Sequence, residues 1–150
     1  MGPTRAELLA FLRARRHAAL STVADDGGPQ SAVVGVAVSD AFELVFDTLA
    51  TTRKAKNLRA RPRVAFVLGG FEDDAKRTAQ LEGVADEPTG AELERLTAVY
   101  YARFPDGPSR LAWPGLVYVR VRPTWLRFTD YGVEPALVVE LYADALAKLK

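Results

Sequence analysis

Cysteine is absent from this sequence of 150 residues, and histidine occurs once, as His17. The first absence removes disulfides, thiolate metal sites and a cysteine nucleophile. The second leaves any Ser-His or HExxH centre dependent on His17 alone. His17 follows an arginine-rich helix, where an imidazole more often interacts with the helix C-terminus than with a ligand. An excess of charge of one sign is also lacking: 20 basic against 19 acidic side chains leave a net charge of +1. No global field therefore draws nucleic acid or anionic lipid. No apolar run approaches the ~20 residues of a membrane span, and the first residues show no signal-peptide apolar region, so a cytoplasmic protein is expected. Neither a GxGxxG nor a P-loop pattern occurs, which speaks against the standard nucleotide folds. What is present is ordinary for a globular chain, with 49% hydrophobic and 26% charged residues, and the length fits one domain over 1–150.

Thr4-Arg5-Ala6-Glu7 has the spacing of a capping box and predicts a helix ending near Arg16. Ala19–Val23 reads as a strand, Asp25-Asp26-Gly27-Gly28 as a hairpin turn, and Gln30–Val38 as the return strand. Gly35 inside that valine-rich run suggests a bulge or a flat object against the backbone. Phe42–Thr48 predicts a strand, Arg53–Arg59 a short helix, Arg63–Leu68 a central strand and Thr78–Ala85 another. Thr89-Gly90-Ala91-Glu92 resembles a second capping box, opening a helix with Leu93, Leu96, Tyr100 and Phe104 in one stripe. Two strands, Leu116–Val121 and Trp125–Thr129, are expected on either side of Pro123, and Pro135–Lys150 reads as a helix despite Val138-Val139. Six or seven mostly hairpin-linked strands with two or three peripheral helices point to a mainly β, antiparallel barrel or sandwich.

The stretch Asp47–Leu58 carries the chemistry. Thr52 can cap the short helix, which places Arg53, Lys54 and Lys56 at its start, where cations oppose the macrodipole. An anion there removes the conflict, because free N–H groups, threonine hydroxyls and the Arg/Lys pair converge on a phosphate. A solvated basic face, continued by Arg59 and Arg61, explains the same residues without a ligand.

Phe46-Asp47-Thr48, Thr52-Arg53-Lys54 and the run Asn57 to Ala65 resemble the pyridoxamine 5′-phosphate oxidase superfamily, and Gln80-Leu81-Glu82-Gly83 is similar to its Gln-x-x-Gly strand. The resemblance spans Ala19 to about Phe128. It implies a split β-barrel working as a homodimer, with FMN between subunits and a small-molecule substrate. Arg53 and Lys54 would bind the phosphate, with Asp47, Thr48 and Thr52 nearby. Val33, Val34, Gly35 and Val36 would lie along the flavin ring, and Gln80 would reach its polar edge. Family oxidases carry Arg and Lys at the two ends of that strand, where this chain has Ala32 and Ala37. The family's Tyr-Phe-x-Ser-Arg-Pro run is replaced here by Tyr100-Tyr101-Ala102-Arg103-Phe104-Pro105. The resemblance thus implies a flavin-dependent oxidoreductase other than a true pyridoxamine phosphate oxidase.

Trp113 and Trp125 fit packing at barrel ends and interfaces, or a wall against the partner's flavin. No catalytic acid or base stands out, and no metal site is expected. An F420-dependent reductase on the same barrel, and a flavin-binding module without turnover, are the competing readings. Haem handling has only His17 to offer iron.

Overall fold

The computed structural model describes residues 1–150. Thr4 caps α1 (Arg5–Arg13): its hydroxyl accepts from Glu7 N, and the Glu7 carboxylate accepts from Thr4 N. The helix stops short of Arg16, and Arg15 and Arg16 instead lay their guanidiniums over Phe11 and Phe104. β1 (His17–Val23) and β2 (Pro29–Gly35) form the expected hairpin. The return strand breaks at Val36 and resumes as β3 (Ala37–Val38), which pairs with β4 (Leu44–Leu49). There follow α2 (Arg53–Ala60), β5 (Arg63–Leu68), β6 (Arg77–Asp86), α3 (Gly90–Arg103), a 3-10 turn (Gly107–Ala112), β7 (Leu116–Asp130), β8 (Leu137–Tyr142) and α4 (Ala143–Lys148).

All eight strands form one antiparallel sheet in the order β2-β1-β5-β6-β7-β4-β3, with β8 beside β7. β2 and β3 are one run of chain, so a single segment supplies both ends of this order and curls the sheet on itself. The result is a split β-barrel. Leu8, Leu12, Leu20, Phe46, Phe66, Leu81 and Leu126 fill its interior, each large side chain stabilising by about 1.5–3 kcal/mol.

Three further expectations are corrected. The two strands around Pro123 are one 15-residue β7. β4 pairs only with residues 116–121 of it and β8 only with residues 125–130, so Pro123 falls where one neighbour has ended and the other has not begun, and its missing N–H disrupts neither ladder. On the β6 side the ladder shifts register there: Glu82 faces Trp125 and Gly83 faces Pro123, leaving Thr124 as a bulge. Gly83 is required at that point, because a Cβ would stand 2.6 Å from the Arg122 carbonyl oxygen. The C-terminal stretch is β8 followed by α4, since its Val-Val pair joins the ladder of β7. Finally, the Thr89–Glu92 box does not close: the Thr89 side chain makes no cap bond, and the Glu92 carboxylate accepts from Arg95 and Arg120, each at 2.7 Å.

Candidate functional site

Thr52 caps α2, accepting from Ala55 N at 3.3 Å while its hydroxyl donates to the Leu49 carbonyl at 2.9 Å. Thr48 Oγ1 stands 3.1 Å from Thr52 Oγ1, so the end of β4 and the start of α2 are tied by two hydroxyls. The first turn of α2 holds no acid, and Arg53, Lys54 and Lys56 have no carboxylate partner, whereas Arg59 and Arg61 pair with Glu87 and Asp25. The N–H groups of Arg53 and Lys54 have no backbone acceptor. Arg53 and Lys54 open onto a cavity of about 110 Å³ lined also by Leu20, Thr22, Gln30, Ser31 and Ala32. Cationic side chains, free N–H groups and hydroxyls around a space of that size suit a phosphate group.

The structure brings Thr48, Thr52, Arg53 and Lys54 together, and separates the other residues singled out in the sequence. Asp47 faces the opposite side of β4 from Thr48 and pairs with Arg110, Nε to Oδ2 at 2.7 Å. Arg110 Nη2 donates to Tyr100 Oη at 3.0 Å, and Tyr101 and Tyr118 share a hydrogen bond of 2.6 Å. Burial, with the Asp47 carboxylate beside it, pushes the Tyr100 phenol up to about 12. Burial and the Tyr101 hydrogen bond push the Tyr118 phenol up as well.

Val34 on β2 and Val36 just past its end are buried in the core, and Val33 on β2 is 71% exposed on the outer face. The flat object against Gly35 is Phe104, whose Cζ would stand 2.9 Å from a Cβ at that position. Gln80 is exposed on the outer face, three ladder steps from Val33 through Ala19 and Val67, or about 14 Å at the usual strand spacing. Trp125 sits on β7 between Glu82 and Tyr142. Trp113, 53% exposed, ends the 3-10 turn beside Gly115, whose carbonyl accepts from Ala50 N at 2.8 Å. It therefore lies close to the turn that starts α2.

The sequence reading missed Thr22, Gln30 and Asn57. The Asn57 side-chain amide lies 3.0 Å from Thr22 Oγ1 and 2.8 Å from the Gln30 amide. The hairpin turn at Asp25–Gly28 implies that Thr22 and Gln30 are near one another, as the observed Thr22–Gln30 register shows; nothing local signals that Asn57 joins them.

A curled antiparallel barrel with a capped cationic helix start beside it defines the class of split-barrel proteins. Within that class, the sequence pattern of the pyridoxamine 5′-phosphate oxidase family matches residues 4–130, and the chain belongs to that family. A pyridoxine/pyridoxamine 5′-phosphate oxidase of Burkholderia lata is 32% identical over 94 residues. That match covers 63% of this chain and 41% of the relative, so the chain spans under half of the relative's length. Among solved structures, a haem-binding protein of Mycobacterium smegmatis superposes with a TM-score of 0.82 at 20% identity, over 98% of this chain and 61% of that one. A pyridoxamine 5′-phosphate oxidase-related, FMN-binding protein of Nostoc punctiforme superposes at 0.68 and 15% identity, over 91% and 87%. No helix is long and apolar enough to cross a membrane.

Proposed function

We propose that the chain binds FMN by its phosphate at Thr52-Arg53-Lys54 and serves as a flavin-dependent oxidoreductase. The observation that carries this is the start of α2, where an acid-free first turn presents Arg53 and Lys54, neither neutralised by a carboxylate, to a phosphate-sized cavity. That cavity is too small for a flavin ring, so the ring would extend beyond it along β2, where Val33 is exposed. The bound flavin would supply hydride transfer, while the protein sets its orientation and access. Val33, Val67, Val84 and Tyr142 are exposed on the outer face of the sheet, an apolar surface suited to a second copy of the chain. In such a homodimer Gln80 and Trp125, on that same face, would reach the flavin from the partner's side.

Ala37 is 3% exposed and packed with Tyr100, Phe104 and Tyr118, and Ala32 brings no charge to the cavity. Both positions support a substrate other than pyridoxamine phosphate. Haem is the weaker reading, because His17 is the sole imidazole and lies at the other end of β1 from Thr22.

The test is the spectrum of the purified chain after mixing with FMN and, separately, with F420, each followed by gel filtration. Oxidised-flavin bands that travel with the protein at the volume of a dimer support the reading, and NAD(P)H oxidation would then establish turnover. Retention of F420 alone would replace FMN with the deazaflavin, and retention of neither would return the basic helix start to a solvated face.

A further inference from the structure

We infer that Gln30 is a positioning residue that holds the Arg53 guanidinium at the cavity from a buried polar chain through Asn57 to Thr22; this rests on the reading of Arg53 as a phosphate ligand. Turned so that its oxygen faces Arg53, the Gln30 amide accepts from Nε at 2.9 Å and from Nη1 at 3.1 Å. Its Nε2 then donates to the Asn57 amide at 2.8 Å, with that amide turned as well so that its oxygen accepts both this bond and one from the Thr22 hydroxyl at 3.0 Å. Thr22 and Asn57 are 2% and 8% exposed, so the far end of the chain is fixed in the core. Arg53 itself is exposed. A free arginine on a surface samples many rotamers, and ordering it on binding weakens the contact it makes. Gln30 imposes that order beforehand and leaves Nη2 for the ligand.

The chemistry of the partner matters as much as its position. Farther along α2 and just past its end, Arg59 and Arg61 are held by the carboxylates of Glu87 and Asp25. Arg53 alone among these three arginines is held by a neutral amide. A carboxylate in that place would neutralise the guanidinium, whereas an amide fixes it with its charge intact for an anion. Gln30 is thus suited to keep a cation both ordered and unspent.

The experiment is a fluorescence titration of the full chain with FMN and with riboflavin, which carries the same ring and no phosphate. The unaltered protein is expected to prefer FMN. Gln30→Met keeps the length and removes the acceptor, and should weaken FMN by about tenfold, the scale of one hydrogen bond to a charged group, with riboflavin unchanged. Gln30→Glu should weaken FMN further, because its carboxylate pairs with Arg53 and repels phosphate. The inference is overturned if Gln30→Met keeps the FMN preference while Arg53→Ala loses it. It is equally overturned if Gln30→Met tightens FMN, which would mean that Gln30 only occupies the place of the phosphate. Equal loss of both flavins in both variants would reduce Gln30 to a packing role. An unaltered protein with no preference for FMN over riboflavin would sink the phosphate reading itself, and this inference with it.

Discussion

Phe104 presses its ring against Gly35: a Cβ on that glycine would lie 2.9 Å from Phe104 Cζ and 3.1 Å from Cε1. The ring has little room to retreat, because it stacks on Tyr100 with centroids 4.8 Å apart and carries the Arg16 guanidinium at 4.8 Å. The contact pins the end of α3 to the point where β2 gives way to β3. Gly35→Ala is therefore expected to lower stability by about 1–3 kcal/mol, the usual range for overpacking. Phe104→Leu in the same chain should recover part of that loss. Chemical denaturation of the two single variants and the double variant measures the coupling, and additive losses would show that the two residues act independently.

Arg53→Ala with Lys54→Ala should weaken FMN on the order of 100-fold or more, given about 1.5–3 kcal/mol for each hydrogen bond to a charged group. Thermal stability should hold or rise slightly, because two cations leave the positive end of α2. Equilibrium dialysis with FMN checks the first outcome and a melting curve the second. Unchanged FMN affinity would remove the phosphate assignment.

Arg120 is 5% exposed and faces three carboxylates, with Asp86 at 2.6 Å, Glu92 at 2.7 Å and Glu43 at 3.5 Å. Burial alone would raise the Glu43 carboxyl, but hydrogen bonds from Arg95 and Ser39, with the Arg120 charge behind them, hold it below the usual carboxylate range. The Arg120 hydrogen bond holds Asp86 below that range too. Carboxylates lowered in this way contribute stability above their unfolded pKa and lose it as pH falls through the folded value. Arg120→Met should thus cost about 3 kcal/mol at neutral pH, leaving Glu43 buried with fewer partners. The cost should shrink below about pH 4, as the carboxyls take up protons. Urea unfolding at the two pH values decides this, and a pH-independent loss would mean that Arg120 acts by packing alone.

Tyr100, pushed up to about 12 by burial and by Asp47, holds its proton through the range where free tyrosines ionise. A raised phenol contributes stability that is complete below the unfolded pKa, near 10, and is lost as pH rises through the folded value. An ultraviolet titration of Tyr100→Phe against the unaltered protein should therefore delete a late-ionising phenol. Loss of an ordinary one would contradict the buried tyrosine cluster.

What the sequence made legible was mostly local. The run Arg63–Leu68 is a strand with the expected bounds, and the Thr4–Glu7 box closes as its spacing implies. The cations at the start of α2 were informative because they break a rule of helix electrostatics. Other features depend on partners far away in the chain. Phe104 meets Gly35, and Arg110 meets Asp47, through packing that no window of neighbouring residues contains. Glu92 had the right spacing to complete a cap, yet Arg120 and Arg95 drew it away. Pro123 looked like a strand terminator because nothing local says that β4 ends before it and β8 begins after it.

The single segment that runs from β2 through Val36 into β3 also orders the folding of the chain in time. The β1–β2 and β5–β6 hairpins pair residues close in sequence, whereas the β4–β7 ladder joins residues 44–49 to residues 116–121. Closing so long a loop carries the larger entropic barrier, so this ladder is expected to zip last. Every wall of the small cavity comes from residues 20–54, while the tyrosine cluster needs Tyr118 from β7. Pulse-labelled amide exchange during refolding should therefore protect Leu20 before Tyr118. The half of the site proposed to hold a phosphate would then exist on a nascent chain before the barrel has shut.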